Sequence, residues 1–212
     1  MSTDATFWND IAQKYAAKPV DRPEAFERKI AITKSRMRPT DVILDIGCGT
    51  GSLALILAPH AAQLHGLDFS SEMVRIAESK AQAQAAENVF FHQGAFDESF
   101  TLFDDAPLDG ILAYSILHLV ADRRAALEQI YRMLRPGGFF VASTECLGGG
   151  LMPWGLLLGA MRLIGKAPMV GIFSKAELIA DMRGVGFVDI EEPEVGAGKT
   201  TCFTVATKPL DA

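Results

Sequence analysis

Three glycines at alternate positions follow a short apolar run, and their spacing is the strongest chemical signal in the chain. Gly47, Gly49 and Gly51 close the stretch VILDIGCGTG, and the apolar run Val42–Ile46 predicts a strand buried on both faces. Glycine permits positive φ and lets a ligand approach the backbone without a Cβ in the way. Helix-forming residues follow, so the loop leads into a helix N-terminus, which favours a carboxylate or a phosphate.

Two acids narrow the choice of ligand. Asp45 lies just before the first glycine, where it would repel a pyrophosphate but could pair with the ammonium of a ligand that also carries a carboxylate. The dinucleotide pattern G-x-G-x-x-G fits imperfectly, because Ser52 occupies its sixth position. Asp68 ends a second apolar strand about 20 residues after the loop, where an acid usually holds ribose hydroxyls. An amino-acid head joined to a ribose describes S-adenosylmethionine.

The sequence here resembles the class I S-adenosylmethionine-dependent methyltransferases, specifically the small-molecule branch that includes quinone-ring C-methyltransferases. The matching segments come in the family's order: LDIGCGTG (44–51), LDFSSEM (67–73), LDGILAYSILHL (108–119), RMLRPGG (132–138) and, more weakly, FSKAELIADMRGVGF (173–187). The resemblance implies an α/β, doubly wound fold. Its mostly parallel, seven-stranded Rossmann-like sheet would close in a C-terminal antiparallel strand pair.

The adenine would lie beside the second strand. Phe69 and Met73 flank the ribose acid and could sandwich a flat ring by dispersion. Plain core packing is the alternative for both, and for Met73 it is nearly as plausible. Relatives usually have an acid at the position of Ala95, so here the backbone of Ala95 and Phe96 could bind the adenine edge, or Asp97 could supply the acid.

The leading segment, Thr6–Ala17, has an apolar stripe at helical spacing. It either packs on the domain as an ordinary helix or, as the resemblance implies, closes over the cofactor with Tyr15 near its methionyl end. The full set of cofactor-binding candidates is Tyr15, Asp45, Gly47, Gly49, Thr50, Gly51, Asp68, Phe69, Met73, Ala95, Phe96 and Tyr114.

Candidate catalytic residues follow the fourth predicted strand, Leu108–Tyr114. Ligands in such sheets lie beyond the carboxyl ends of the strands, so Tyr114 and Ser115 are candidates for the wall that faces the transferable methyl group. His118 follows within one turn and could act as general base on an acceptor. A structural hydrogen bond is the alternative for His118.

The elements that position these residues form one predicted domain, 1–212: a helical cap (1–40), a cofactor-binding core (41–146), an apolar insertion (147–173), and a closing helix with antiparallel strands (174–212). Strands are predicted at Val42–Ile46, Gln63–Leu67, Val89–His92, Leu108–Tyr114, Phe139–Glu145, Phe187–Glu191 and Thr201–Thr207. Helices are predicted over 6–17, 24–37, 52–58, 70–86, 122–134 and from Ser174 to about Gly184.

The segment Leu147–Phe173 departs from the ordinary α/β pattern. It is glycine-hinged, nearly uncharged and too short and broken for a membrane span. It predicts either a lid over an apolar acceptor or a subunit interface, with membrane contact and ordinary core as further alternatives. Its apolar side chains are Leu151, Met152, Trp154, Leu156, Leu157, Leu158, Met161, Leu163 and Ile164. The expected hinges are Gly148, Gly149 and Gly150 at one end and Gly165 with Pro168 at the other.

Composition excludes several partners. The net charge is −6 with no basic run, which argues against nucleic acid because phosphate contacts need clustered Lys and Arg. Three scattered cysteines indicate reduced thiols in a cytoplasmic protein, and the N-terminus is too polar for a signal peptide. The sequence has no carboxylate cluster that would indicate a metal site. A monomer or a homodimer is expected, with peripheral membrane contact left open.

The predicted function is therefore methyl transfer from S-adenosylmethionine to a small, apolar metabolite, with a carbon, oxygen, nitrogen or sulfur acceptor atom undetermined. One alternative is a methyltransferase-like protein that binds the cofactor without catalysis and acts as a partner or sensor. A nicotinamide-dependent oxidoreductase is a third possibility, which Asp45 and Ser52 disfavour.

Overall fold

The fold is a seven-stranded sheet with helices on both faces. A computed structural model describes residues 3–103, 106–150, 152, 154–163 and 167–211. The strands are β1 (Val42–Ile46), β2 (Gln63–Asp68), β3 (Val89–Gln93), β4 (Leu108–Tyr114), β5 (Leu134–Glu145), β6 (Val188–Glu191) and β7 (Thr201–Thr207). The helices are α1 (Thr3–Ala17), α2 (Pro23–Arg36), α3 (Ser52–Leu57), α4 (Ser71–Ala83), α5 (Arg123–Met133), α6 (Trp154–Leu163) and α7 (Lys175–Val185), and Ala58–His60 adds a 3₁₀ turn.

The strand order is β3-β2-β1-β4-β5-β7-β6, with β7 antiparallel to both of its neighbours and the other pairs parallel. The expected fold class, including the closing antiparallel pair, is therefore confirmed. Because β1, β2, β4 and β5 are parallel, their carboxyl ends meet at one edge of the sheet. Asp45, Asp68, Tyr114 and Glu145 all lie at that edge.

The apolar core fills both faces of the central strands. Ile43, Leu44, Ile111 and Leu112 are fully buried, and alternate residues serve opposite faces, so neighbouring positions belong to different clusters. Two-sided burial explains why these strands have nearly continuous apolar sequences.

The fifth strand begins earlier than the sequence indicates. The Arg-Pro-Gly-Gly segment predicts a turn before Phe139, yet the strand starts at Leu134, opposite Leu108, and pairing resumes between Gly110 and Phe139. The glycines and the proline therefore form a bulge within the strand rather than a turn before it. Arg135 holds the bulge in place, because its Nε donates to Asp109 Oδ1 across 2.5 Å.

Helix starts follow the capping chemistry of the sequence. Ser70 accepts from the backbone N–H of Met73, and Asp122 accepts from that of Ala125. Ser174 and Glu177 form the expected capping box. The end of α4 differs from the prediction, since the helix stops at Ala83 and Ala85 takes a left-handed conformation with φ 50°.

The insertion 147–173 contains one described helix, α6, none of whose side chains is buried. Leu156 is 79% exposed and Leu163 is 90% exposed. The two ends of the insertion are fastened together, because the Gly148 N–H donates to the Phe173 carbonyl at 2.8 Å. Leu151, Ile164 and Gly165 lie outside the described residues. No helix in the described ranges is both long enough and apolar enough to cross a bilayer.

Candidate active site

The glycine loop folds against the end of β2. The N–H groups of Gly47 and Cys48 both donate to the Leu67 carbonyl, at 2.7 and 3.0 Å. Gly49 has φ 55°, and a Cβ placed there would approach only the Tyr15 ring, at 3.7 Å. Gly51 is different, because a Cβ would lie 2.6 Å from the Phe91 ring. Gly49 therefore leaves room for a ligand, whereas Gly51 is required by packing.

Asp68 ties the loop to the start of α4. One carboxyl oxygen accepts from the Gly49 N–H and the other accepts from the Ser70 N–H, each at 2.9 Å. Burial raises the pKa of Asp68, and these two backbone bonds oppose the rise. Each carboxylate oxygen has more than one acceptor position, so both can still accept a hydrogen bond from a ligand hydroxyl.

Asp45 is buried at the end of β1, and its Oδ2 has no hydrogen-bond partner among the described residues. Burial, with a smaller contribution from the Asp68 charge, raises the pKa of Asp45 to about 8. A buried carboxyl oxygen without a partner is unfavourable, and a ligand ammonium would supply both a hydrogen bond and a compensating charge. This orphaned oxygen fits the amino-acid end of S-adenosylmethionine.

Two cavities meet at the loop, and Gly47 lines both of them. The larger cavity, about 1040 Å³, lies beyond β2 and β3 and is bordered by the start of α5. The smaller, about 630 Å³, lies between the ends of β1, β4 and β5 and the helices α1 and α2. A ligand with an adenosine end and an amino-acid end can therefore extend across the loop from one cavity into the other.

The predicted adenine residues fall into two groups. Asp68, Phe69, Ala95 and Phe96 line the larger cavity. Met73 does not: it is buried with Ala12 and Ile76 in the core, which is the alternative that the sequence left open for it.

Asp97 also lines the larger cavity, where its Oδ1 accepts from the N–H and the hydroxyl of Ser99. These two bonds lower the pKa of Asp97. Thr50, another candidate, lines the smaller cavity, and its hydroxyl oxygen accepts from Lys80 Nζ at 2.9 Å. Lys80 also donates to the hydroxyl of Ser52, so it braces the end of the loop.

Tyr15 and Tyr114 both line the smaller cavity. The Tyr114 hydroxyl is 2.7 Å from Thr33 Oγ1 and donates to the Lys29 carbonyl at 3.4 Å. Burial raises the pKa of Tyr114 well above its ordinary value. A neutral phenol held by α2 serves as a wall for the cavity.

His118 lies after β4 and lines neither cavity. Its Nδ1 is buried with no hydrogen-bond partner among the described residues, and its backbone carbonyl accepts from the Gly171 N–H. Burial lowers the pKa of His118, and the Glu145 charge opposes that change. The lowered pKa favours the neutral form of the ring near pH 7.

The structure adds three site residues that the sequence did not indicate. Asn9 on α1 accepts from the Ser70 hydroxyl at 2.6 Å and so fastens α1 to the start of α4. Lys29 on α2 and Glu145 on β5 line the smaller cavity. None of them belongs to a local motif: the Asn9 and Lys29 side chains bond to partners 61 and 114 residues away in sequence.

Comparison with known proteins identifies the family of the chain. The family described as "Methyltransferase domain" matches residues 38–183. The chain is 35% identical over 201 residues to the ubiquinone/menaquinone biosynthesis C-methyltransferase UbiE of Geotalea daltonii, covering 84% of this chain and 83% of the relative. It is 30% identical over 210 residues to the O-methyltransferase cnsE of Penicillium expansum, covering 96% and 72%.

Solved structures share the fold at lower identity. Phosphoethanolamine N-methyltransferase 2 of Haemonchus contortus, in complex with S-adenosyl-L-methionine, superposes with a TM-score of 0.68 at 18% identity, covering 86% of this chain and 52% of that one. The YcgJ protein of Bacillus subtilis gives a TM-score of 0.65 at 20% identity, covering 86% and 99%.

The two cavities and the two acids fit a ligand that joins a nucleoside to an amino acid. The chain belongs to the methyltransferase domain family, and it is a class I S-adenosylmethionine-dependent methyltransferase.

Proposed function

We propose that this enzyme methylates a small metabolite that binds in the smaller cavity, at the ends of β4 and β5. One observation carries the proposal: this cavity runs without interruption from Asp45 and Gly49, where the amino-acid end of the cofactor fits, to Tyr114 and Ser143. Relatives named as a quinone-biosynthesis C-methyltransferase and an O-methyltransferase support a small acceptor with a carbon or oxygen as the methylated atom.

The residues have distinct roles in this proposal. Asp45 pairs with the ammonium of the cofactor, Asp68 accepts from the ribose hydroxyls, and Phe69, Ala95 and Phe96 border the adenine. When bound, S-adenosylmethionine supplies a methyl group that is already activated on a sulfonium, and the bonding electron pair stays on sulfur as the methyl leaves. The protein therefore has mainly to orient the acceptor and to exclude water.

A base is needed only for an acceptor that must lose a proton. His118 is our candidate for that base, because its ring is neutral and follows the end of β4, but it lines neither cavity and reaches the acceptor only if the segment after β4 moves. Tyr114 is assigned to the wall beside the reacting atoms, where its hydroxyl is held by Thr33. The acceptor's apolar part would contact the apolar members of the same cavity, among them Phe26 and Leu53.

The test has two stages. Titration calorimetry should show binding of S-adenosylhomocysteine and little or no binding of NAD. Methyl-labelled cofactor is then incubated with fractionated small molecules from the source cells, with heat-inactivated enzyme as the control. Tight NAD binding without a response to S-adenosylhomocysteine would contradict the assignment. Cofactor binding with no labelled product in any fraction would instead favour a catalytically silent binding protein.

A further inference from the structure

Lys29 is a cation enclosed in the smaller cavity. It reaches from α2 to the end of β5, where its Nζ donates to Ser143 Oγ at 2.8 Å. Lys18 and Arg22 also line this cavity, but both are exposed at its mouth, whereas Lys29 is half-buried. Of the lysines and arginines lining the described cavity, Lys29 alone lies inside.

No carboxylate neutralises this ammonium directly. None of the ion pairs among the described residues involves Lys29. The nearby acid is Glu145, whose two oxygens accept from the hydroxyls of Thr200 and Thr201 at 2.7 and 2.6 Å. Burial lowers the pKa of Lys29, and the Glu145 charge only partly opposes this. A desolvated ammonium bonded to a neutral serine has donors left for an anion.

The register of the sheet separates Ser143, the anchor of Lys29, from Asp45. Asp45 and Val141 both pair with Leu112, so they lie level with each other on strands two positions apart. Ser143 is two residues farther along β5. At about 4.8 Å per strand and 3.3 Å per residue, the Lys29 anchor is displaced about 10 Å sideways and 7 Å outward from Asp45. The anchor of Lys29 therefore lies beside Asp45 along the same edge of the sheet and farther out, at the end of β5.

We propose that Lys29, oriented by Ser143, binds an ionised oxygen of the methyl acceptor, and that the acceptor is an acidic phenol or enol that binds as its anion. This inference rests on the proposed function and names the substrate class of the same cavity. The acceptor's proton is released to solvent before binding, which leaves its electron pair available in the site. The acceptor then combines an apolar body with one anionic oxygen, a more specific prediction than an apolar metabolite.

The experiment uses 4-nitrophenol as the probe, because its phenolate absorbs visible light and its ionisation falls near neutral pH. The protein is first saturated with S-adenosylhomocysteine, and 4-nitroanisole serves as the neutral analogue. Binding to the wild type should raise the phenolate absorbance at fixed pH, and the phenol should bind more tightly than the anisole.

Three variants complete the design. Lys29→Met keeps the apolar stem and should weaken phenolate binding about 10- to 100-fold, the range expected for a charge-assisted hydrogen bond. Lys29→Arg retains the charge and should restore much of the binding. Lys34→Met, on the same helix but outside both cavities, should match the wild type. Thermal unfolding confirms that each variant is folded.

The possible outcomes separate the alternatives. Weaker S-adenosylhomocysteine binding in Lys29→Met, with the phenolate signal unchanged, would overturn the proposal and assign Lys29 to the cofactor carboxylate. Equal binding of phenol and anisole to the wild type would also overturn it. A wild-type protein that does not bind S-adenosylhomocysteine at all would instead contradict the proposed function.

Discussion

The two acids at the ends of β1 and β2 are neighbours with different environments. Asp68 accepts two backbone hydrogen bonds, which favour its ionised form, whereas Asp45 has one oxygen without a partner. Burial raises the pKa of both, most strongly for Asp45. Asp68 is thus preorganised to accept from neutral hydroxyls, and Asp45 becomes a good carboxylate partner only when a cation binds beside it.

Replacement of Asp68 by alanine should weaken S-adenosylhomocysteine binding about 10- to 100-fold, because charge-assisted bonds to the two ribose hydroxyls contribute roughly 1.5–3 kcal/mol. Titration calorimetry measures the change. Because Asp68 also satisfies the N–H groups of Gly49 and Ser70, thermal unfolding must show that the variant is folded. Glu78→Ala, which removes an exposed acid of α4 outside both cavities, is the matched control. Unchanged affinity in a folded Asp68→Ala variant would show that the ribose is held elsewhere.

Cofactor binding should release a proton near pH 7. The pKa of Asp45 is raised to about 8 in the free protein, so the carboxyl is mostly protonated at neutral pH. An ammonium placed beside it favours the ionised form, so binding releases up to about one proton per site, and affinity rises from pH 6 towards pH 8. Calorimetry in buffers of different ionisation enthalpy measures the number released. Asp45→Asn should abolish the release, and a release that persists in that variant must come from another group.

At the scale of elements, the cap and the loop act as one unit. Asn9 fastens α1 to the start of α4, while Tyr15 lies over Gly49 and Trp8 lines the larger cavity. The sequence predicted the helix from its apolar stripe and left its role open. The polar contact between Asn9 and Ser70 spans 61 residues and depends on tertiary packing, so no local pattern could reveal it.

The structure gives the position of the insertion 147–173 relative to the two cavities. Its described part borders the larger cavity through Arg162, Pro168 and Met169, and no described residue of it lines the smaller cavity. The exposed leucines of α6 leave apolar surface in water, which favours either movement over a bound ligand or contact with a second subunit.

If α6 is a lid over the larger cavity, which its segment borders, Trp154→Ala should weaken S-adenosylhomocysteine binding several-fold, because that cavity takes the adenosine end of the cofactor in the proposed arrangement. Trp154 fluorescence, recorded in a Trp8→Phe background, should also shift when S-adenosylhomocysteine is added. Leu163→Glu provides the opposing test. A mass by light scattering that falls by half in that variant would identify α6 as a subunit interface and contradict the lid.

At the scale of the whole molecule, the strands and the fold class could be predicted, because the family resemblance that implies them rests on short local patterns in a fixed order. The glycine loop, Asp68 and the capping residues are examples. The bulge at Arg135 could not be predicted from the sequence. Pro and Gly indicate a turn there, whereas the contact with Asp109 keeps the segment in the strand. The position of Lys29 could not be predicted either, because it depends on how α2 packs on β5. Its partner Ser143 lies 114 residues away in sequence.

The same global packing creates an acid-sensitive pair of histidines that line neither cavity. His65 Nδ1 lies 3.0 Å from His92 Nε2, and the His65 ring also packs against Phe90 and Phe103. Burial, with a smaller contribution from His92, lowers the pKa of His65 to about 4, and burial lowers that of His92. The unfolded chain, in which histidine has its ordinary pKa near 6.5, therefore binds protons more readily than the folded one.

Acidification should consequently destabilise the fold through this pair. Its stabilising contribution is complete above about pH 6.5 and is lost as the pH falls towards 4. The loss amounts to about 1–2 kcal/mol after allowance for solvent screening of a half-exposed ring. Asp45 acts in the opposite direction, because its raised pKa makes folding less favourable as the pH rises towards 8. The measurement is therefore a difference: urea unfolding at pH 7 and pH 4.5 for the wild type, His65→Leu and the control His60→Gln. His65→Leu should lose less stability on acidification than the other two, and an equal loss in all three proteins would assign the acid sensitivity to groups other than this pair.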